Sequence, residues 1–358
     1  MAKGDLLSNA IRSIGSLDER AMSEARAMQD RLTKPTGALG RLEELSIQLA
    51  GIQGKPIPRV KDKAIIVMAG DHGVVAQGVS AYPQEVTPQM VLNFLHGGAG
   101  INVIARQVGA RILVVDMGVA ADMAPNPLLV SRKVAHGTRD MATGPAMTED
   151  QAIKALETGI ELAAAEAAKG LDIVGTGDMG IGNTTASSAI CAVMAGKTAA
   201  EVTGRGTGVG DEQLKHKAEV IDKALKVNRP NAKQPLSVLA KVGGFEIAGL
   251  AGVMLGAGAR RIPVVIDGFI SGAAALIAVG LAPSLREFLI AGHVSAEAGH
   301  RILLKHLGLK PLVDLDMRLG EGTGAAIGMF LCETATRVLA EMATFDEAGV
   351  SERSEPPA

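Results

Sequence analysis

Leu171-Asp172-Ile173-Val174-Gly175-Thr176-Gly177-Asp178-Met179-Gly180-Ile181-Gly182-Asn183-Thr184-Thr185 runs from a short apolar stretch through alternating glycines into a segment of helical spacing. Its opening residues are apolar or β-branched and bounded by turn formers, the pattern of a strand buried on both faces. Apolar residues at helix period continue from Thr184 to Ala195. A strand that ends in glycine and leads into a helix is half of a βαβ unit.

The same arrangement recurs on both sides. Ala64-Ile65-Ile66-Val67-Met68, Arg111-Ile112-Leu113-Val114-Val115 and Pro263-Val264-Val265-Ile266 each read as a buried strand closing on Gly or Asp. Helix-period segments at Thr148–Lys169, Glu212–Lys226 and Glu246–Gly258 separate them. This alternation implies an α/β fold with a mainly parallel sheet. Ligands bind such sheets beyond the carboxyl ends of the strands. Here those ends carry Gly70-Asp71-His72-Gly73, Asp116-Met117-Gly118, Gly175-Thr176-Gly177-Asp178 and Asp267-Gly268, so the site is expected along that edge.

With 358 residues, 47% of them hydrophobic, the chain has enough apolar surface for one large core, or a large domain with a smaller satellite. Residues 1–60 read as helical and are expected to pack with the last helix, within 324–345, as a small domain. Residues 61–323 form the large α/β domain, and 346–358 a polar tail ending in the Pro-rich Ser351–Ala358 stretch. Aromatic residues make up 2%, with Tyr82 the single tyrosine and no tryptophan. The core is therefore built from small and aliphatic side chains.

Thirty-six Lys and Arg against 38 Asp and Glu, a net charge of -2, leave no basic cluster able to neutralise a run of phosphates. Nucleic acid is not expected as a partner. Two cysteines, Cys191 and Cys332, exclude a disulfide framework and a Cys-rich zinc site and fit a reducing cytoplasm. The first twenty residues mix charges with short apolar stretches and lack a signal-peptide core. Ile262–Pro283 is apolar enough to raise a membrane question, but Asp267 lies inside it. A central Asp costs about 2.5–3.5 kcal/mol on insertion, so a buried strand followed by a helix is expected there.

Gly175-Thr176-Gly177-Asp178-Met179-Gly180 matches G-x-G-x-x-G, with Glu201 downstream, which raises a nicotinamide-dinucleotide oxidoreductase as one reading. The other uses Asn183 and Thr184 as caps of a helix whose free N–H groups face a phosphate, against the plain alternative of an ordinary capped helix. Gly204-Arg205-Gly206-Thr207-Gly208-Val209-Gly210 suits a phosphate-cradling loop or a flexible linker. Lys215 and Lys217 in the following helical turns oppose its dipole unless an anion compensates them. None of the seven histidines has metal-ligand spacing; His72 reads as a satisfied loop histidine, and no metal or other cofactor is expected. Glu321 stands between glycines at the entrance of an apolar helix. It reads as a capping carboxylate or as a general base whose pKa is raised by desolvation.

Ordered blocks from Lys34 to Ala343 resemble the nicotinate-nucleotide:dimethylbenzimidazole phosphoribosyltransferases. They are Lys34-Pro35-Thr36-Gly37-Ala38-Leu39-Gly40-Arg41-Leu42-Glu43, Ala69-Gly70-Asp71-His72-Gly73-Val74, Gly78-Val79-Ser80-Ala81-Tyr82-Pro83-Gln84-Glu85-Val86-Thr87, Gly180-Ile181-Gly182-Asn183-Thr184-Thr185, Lys241-Val242-Gly243-Gly244-Phe245-Glu246-Ile247, Asp267-Gly268-Phe269, His293-Val294-Ser295-Ala296-Glu297 and Met317-Arg318-Leu319-Gly320-Glu321-Gly322. The resemblance implies a Rossmann-like large domain, a smaller helical domain and a homodimer with active sites near the partner subunit. It implies transfer of the ribose phosphate of nicotinate mononucleotide to 5,6-dimethylbenzimidazole in cobalamin assembly. It makes Glu321 the catalytic base and places Asp178 beside the substrates as a second acidic residue. Ser80, Tyr82, Gln89 and Leu319 fall on the base side; Gly180, Asn183, Thr184, Gly206, Lys217 and Ser295 fall on the ribose-phosphate side. Asp178 stands where the family pattern can carry Glu, and Tyr82 where it can carry Trp, which leaves room for adenine or a phenol as the accepted base. A non-catalytic nucleotide-binding module is the remaining alternative.

Overall fold

Six strands form one all-parallel sheet in the order β3-β2-β1-β4-β5-β6. They are β1 (Lys63–Gly70), β2 (Ala110–Gly118), β3 (Leu129–Ser131), β4 (Ile173–Met179), β5 (Val264–Ile266) and β6 (Leu289–Ala291). A separate two-stranded parallel pair joins β7 (His293–Val294) to β8 (Val313–Asp314). This is the strand order of a Rossmann fold, whose topological switch point lies between β1 and β4. The computed structural model describes residues 4–206, 208 and 210–351. Thr207 and Val209 of the glycine-rich loop, and the Glu352–Ala358 part of the expected tail, lie outside the described residues.

The pleat divides β1 between two cores. Ala64, Ile66 and Met68 join one apolar cluster, while Ile65, Val67 and Ala69 join another on the opposite face. Both faces are thus covered, as the continuous apolar runs require. The chain begins with α1 (Asp5–Ser13), α2 (Glu19–Arg31) and α3 (Arg41–Gln53); α4 (Val86–His96) and α5 (Gly100–Val108) separate β1 from β2. Next come α6 (Glu149–Ala168), α7 (Asn183–Ala195), α8 (Ala199–Val202), α9 (Asp211–Asn228), α10 (Pro235–Val242), α11 (Phe245–Gly258) and α12 (Phe269–Leu281). The last are α13 (Ala298–Leu307), α14 (Thr323–Glu341) and α15 (Phe345–Ala348).

Helices α3, α4, α5 and α14 cover one face of the sheet, and α6, α7, α11 and α12 the other. α2 packs on α3, and both lie against α14, with Ala25, Ala50 and Leu339 buried between them. α1 instead packs on α6 and α11 on the far side. α6 and α11 meet closely because each presents glycine to the other: a Cβ on Gly159 would come within 2.0 Å of the Gly249 carbonyl oxygen. The expected polar tail begins with a turn of helix, α15, because Thr344 and Glu347 form a capping box.

Ile262–Pro283 contains β5 followed by α12, and no described helix is long and apolar enough to cross a membrane. The expected strands at 64–68, 111–115, 171–174 and 263–266 are β1, β2, β4 and β5 with small shifts of boundary.

Candidate active site

Three strand ends are tied together at the switch point. Asp71, just beyond β1, accepts hydrogen bonds from the Thr87 hydroxyl (2.7 Å) through Oδ1 and from the Ala120 N–H (2.8 Å) through Oδ2. The Thr87 oxygen in turn accepts the Ile181 N–H at 3.1 Å. Gly180 lies against the end of β1 so closely that a Cβ there would fall 2.1 Å from the Gly70 carbonyl oxygen. Nearby, His72 Nε2 lies 2.6 Å from Glu246 Oε1, both side chains buried. Burial alone would lower the His72 pKa, but the Glu246 carboxylate outweighs it and leaves the pKa raised. His72 is therefore a satisfied histidine, as its lack of metal-ligand spacing suggested.

The G-x-G-x-x-G segment does not form a dinucleotide turn. Gly175 and Gly177 lie inside β4, and a Cβ on Gly177 would fall 2.4 Å from the Glu321 carbonyl oxygen. These glycines serve internal packing, which removes the basis of the oxidoreductase reading. Nor do Asn183 and Thr184 cap α7 through their side chains. The cap position is Gly182, in the left-handed region, with no side-chain bond. Asn183 Nδ2 donates instead to Asp178 Oδ2 at 3.0 Å, and Thr184 Oγ1 accepts from Lys217 Nζ at 2.7 Å.

Glu321 occupies left-handed backbone (φ 64°) between Gly320 (φ 84°) and Gly322 (φ 95°). Such a conformation is uncommon for a residue with a Cβ and clusters at functional sites. Its Oε2 accepts the Ile101 N–H at 3.1 Å, so it does cap a helix, α5, though not the helix it precedes. Burial raises the Glu321 pKa, the Ile101 N–H opposes the rise, and the charge of Asp267 adds to it. The Asp178 carboxyl lies well above the usual range because of burial and the nearby charges of Asp267, Glu246 and Glu321. Among the described residues its Oδ1 has no hydrogen-bond partner.

A cavity of about 670 Å³ opens at this edge, lined among others by Tyr82, Asp178, Gly180, Asn183, Thr184, Gly206, Ser295, Leu319 and Glu321. Such a volume suits a mononucleotide-sized ligand. A narrow crevice adjoins it, sharing Gly180, Asn183 and Thr184 and adding Ser80 and Lys217. Lys217, in the second turn of α9, is buried, while Lys215 is exposed. Burial lowers the Lys217 pKa to about 8, against the opposing charge of Glu297. Arg318 donates to the Gly206 carbonyl oxygen at 3.2 Å, joining the glycine-rich loop to the Glu321 loop. Gln89 is exposed and lines neither space. It sits on the outward turn of α4, between Val86 and Met90, which do line the cavity.

Residue-by-residue reading gave no individual role to His293, Glu297 or Asp267. His293 and Glu297 line the cavity although buried, and among the described residues neither ring nitrogen of His293 nor Glu297 Oε2 has a hydrogen-bond partner. The signal available was the H-x-S-x-E spacing after a strand, which marks proximity and not orientation.

A family model described as phosphoribosyltransferase matches residues 14–350. The nicotinate-nucleotide–dimethylbenzimidazole phosphoribosyltransferase of Chloroflexus aggregans is 61% identical over 350 residues, 98% of this chain and 99% of that protein. The protein of that name from a Roseiflexus species is also 61% identical over the same shares. This chain belongs to the nicotinate-nucleotide:dimethylbenzimidazole phosphoribosyltransferase family. A crystal structure of a phosphoribosyltransferase so named, from Thermus thermophilus, superposes with a TM-score of 0.89 at 48% identity, covering 94% of this chain and all of that one. The family resemblance of the Lys34–Ala343 blocks thus extends over almost the whole chain, and the phosphoribosyltransferase fold carries the cavity at its switch point.

Proposed function

We propose that this phosphoribosyltransferase moves the 5-phosphoribosyl group of nicotinate mononucleotide to 5,6-dimethylbenzimidazole, giving α-ribazole 5′-phosphate and nicotinate for cobalamin assembly. The observation that carries the reading is Glu321, a desolvated carboxylate with a raised pKa on the wall of a mononucleotide-sized cavity. The benzimidazole ring nitrogen bearing the lone pair forms the new bond to C1′, opposite the nicotinate. The C1′–N bond to nicotinate breaks and its electron pair stays on the pyridine nitrogen, so the leaving group needs no proton. The N–H proton of the attacking base passes to Glu321.

The rest of the site supports positioning. Thr184, Gly206, Ser295 and Lys217 surround the place for the phosphate, with Lys217 as the buried cation. Gly180 and Asn183 form the wall between phosphate and ribose. Tyr82 and Leu319 offer apolar surface to a planar base at the rim, and Ser80 orders the Tyr82 turn by donating to its carbonyl oxygen at 2.9 Å. Asp178, whose carboxyl burial and neighbouring carboxylates hold well above the usual range, turns its unpartnered Oδ1 to the substrates as a positioning group. Substrate-assisted departure and proximity supply the remainder of the acceleration. The substitutions at Asp178 and Tyr82 leave adenine and phenols as bases to test.

A homodimer accompanies this reading. Leu92, Val103 and Phe330 are exposed on α4, α5 and α14, helices that cover the same face of the sheet. Their exposure on one side of the molecule supports an association surface there if they lie together as a patch. Two free, buried cysteines support a cytoplasmic setting.

The test is to mix the protein with nicotinate mononucleotide and dimethylbenzimidazole, without added metal, and follow both products by chromatography with mass detection. Equal release of α-ribazole 5′-phosphate and nicotinate is expected. Glu321→Gln should keep nicotinate mononucleotide binding and lower turnover by about 100-fold or more. Wild-type turnover in that variant would sink the base assignment, and binding without turnover in either form would favour a nucleotide-binding module.

A further inference from the structure

Asp267 follows β5 and is fully buried. Its Oδ2 accepts the N–H of Gly322 at 3.1 Å, and its Oδ1 accepts the N–H of Gly324 at 2.6 Å and of Ala325 at 3.2 Å. These donors belong to the first turn of α14, whose own cap residue, Gly322, has no side chain to satisfy them. A carboxylate 55 positions away in sequence does so instead.

The residue just before this anchored turn is Glu321, in left-handed backbone. Its carbonyl oxygen is pressed against Gly177 of β4 on one side, and the peptide that follows is held by Asp267 on the other. Behind the turn, His293 packs so closely that a Cβ on Gly324 would meet its ring at 1.9 Å. The loop therefore has a wall on one side and an anchor on the other.

We propose that Asp267 is the positioning residue of the base loop, fixing the turn after Glu321 so that its carboxylate stays aimed into the cavity. The proposal rests on the reading of Glu321 as the base. Asp267 does not line the cavity; it acts through the backbone of residues 322–325. An ordinary helix cap would stabilise α14 wherever it came from, but this one joins the end of β5 to the only residue of the loop that carries the chemistry. The charged and titratable groups facing Asp267 are His293 from β7, with Nε2 at 3.6 Å, Asp178 from β4 and Glu321 itself.

The test uses Asp267→Asn in the full chain, with a thermal melt to establish folding. The amide keeps one acceptor for Gly324 and Ala325 but turns an NH2 toward the Gly322 N–H. Expected is a kcat about 30- to 100-fold lower, the scale of a base displaced by about 1 Å, with KM for nicotinate mononucleotide within about threefold. The acid limb of the kcat profile should also move to lower pH, because Glu321 loses a neighbouring negative charge. Asp267→Glu retains the charge and displaces it by a methylene. It should lower kcat with the limb unmoved, and it serves in place of Asp267→Asn if the latter fails to fold. In a Glu321→Gln background, Asp267→Asn should lower the residual rate less than about threefold.

A folded Asp267→Asn with wild-type kcat overturns the proposal, as does a full repeat of its loss in the Glu321→Gln background. An acid limb that does not move in Asp267→Asn also overturns it. These failures leave the base reading intact if Glu321→Gln is inactive. A fully active Glu321→Gln is the different result that refutes the base reading itself.

Discussion

Lys217 illustrates how one buried side chain sets a pH response. Among the described residues its ammonium meets the Thr184 hydroxyl and the Gly204 carbonyl oxygen at hydrogen-bond range, and burial lowers its pKa to about 8. An anionic phosphate in the crevice would favour the charged form and draw the proton back. Binding therefore weakens as pH rises through about 8 in the free enzyme. KM for nicotinate mononucleotide, measured across the neutral to alkaline range, should be flat at the acid end and climb above about 8. Lys217→Met should raise KM by about 30-fold or more, the scale of a lost charge-assisted hydrogen bond, and abolish the climb. A climb that persists in Lys217→Met would assign the titration to another group. Asp178 shows the opposite case: burial and three neighbouring carboxylates push its pKa well above the usual range, a shift its sequence position could not reveal.

Among elements, the link from α4 to the turn after β4 is the one most open to a clean test. Thr87 donates to Asp71 and accepts from Ile181, and it is fully buried. Thr87→Val preserves shape but leaves the Ile181 N–H unpaired and removes a donor from Asp71. The expected cost is about 2–4 kcal/mol in urea unfolding. Because Ile181 and its neighbour Gly180 line the cavity, KM for nicotinate mononucleotide should rise as well. Thr87→Ser keeps both hydrogen bonds and should recover most of the loss, with about 1 kcal/mol remaining for the methyl. Equal effects from Val and Ser would show that packing, and not the hydroxyl, holds the turn.

At the scale of the molecule, the proposed homodimer would use the outer faces of α4, α5 and α14, where Leu92, Val103 and Phe330 are exposed. Phe330 is 55% exposed on the longest of these helices. A dimer is expected by size-exclusion chromatography with light scattering, and Phe330→Glu should shift it toward monomer at micromolar concentration. A wild-type monomer, or a variant dimer of unchanged stability, would move the association surface elsewhere. Glu321 contacts the start of α5, so loss of the dimer should also lower kcat.

Much of this organisation was legible in the sequence, because buried parallel strands and amphipathic helices obey local periodicity. Four of the six main strands and the helices α6, α7, α9, α11 and α14 follow from it within a few residues. Strands β3 and β6 did not: each is three residues long, as β5 is, but Leu129-Val130-Ser131 and Leu289-Ile290-Ala291 lack the run of β-branched residues closing on Asp-Gly that marked β5. The strand-end edge was legible too, as was Glu321 isolated between glycines. What the tertiary structure alone decided is how these groups meet. Asn183 turns to Asp178 and does not cap its helix. Gln89 turns away from the cavity while Val86 and Met90 face it. Glu321 caps α5 from 220 positions away, and Asp267 holds the turn that follows it. Sequence pattern reports steric and hydrophobic preferences over a few neighbours. Orientation, desolvation and proton affinity depend on groups brought together only when the sheet and its two helical layers close.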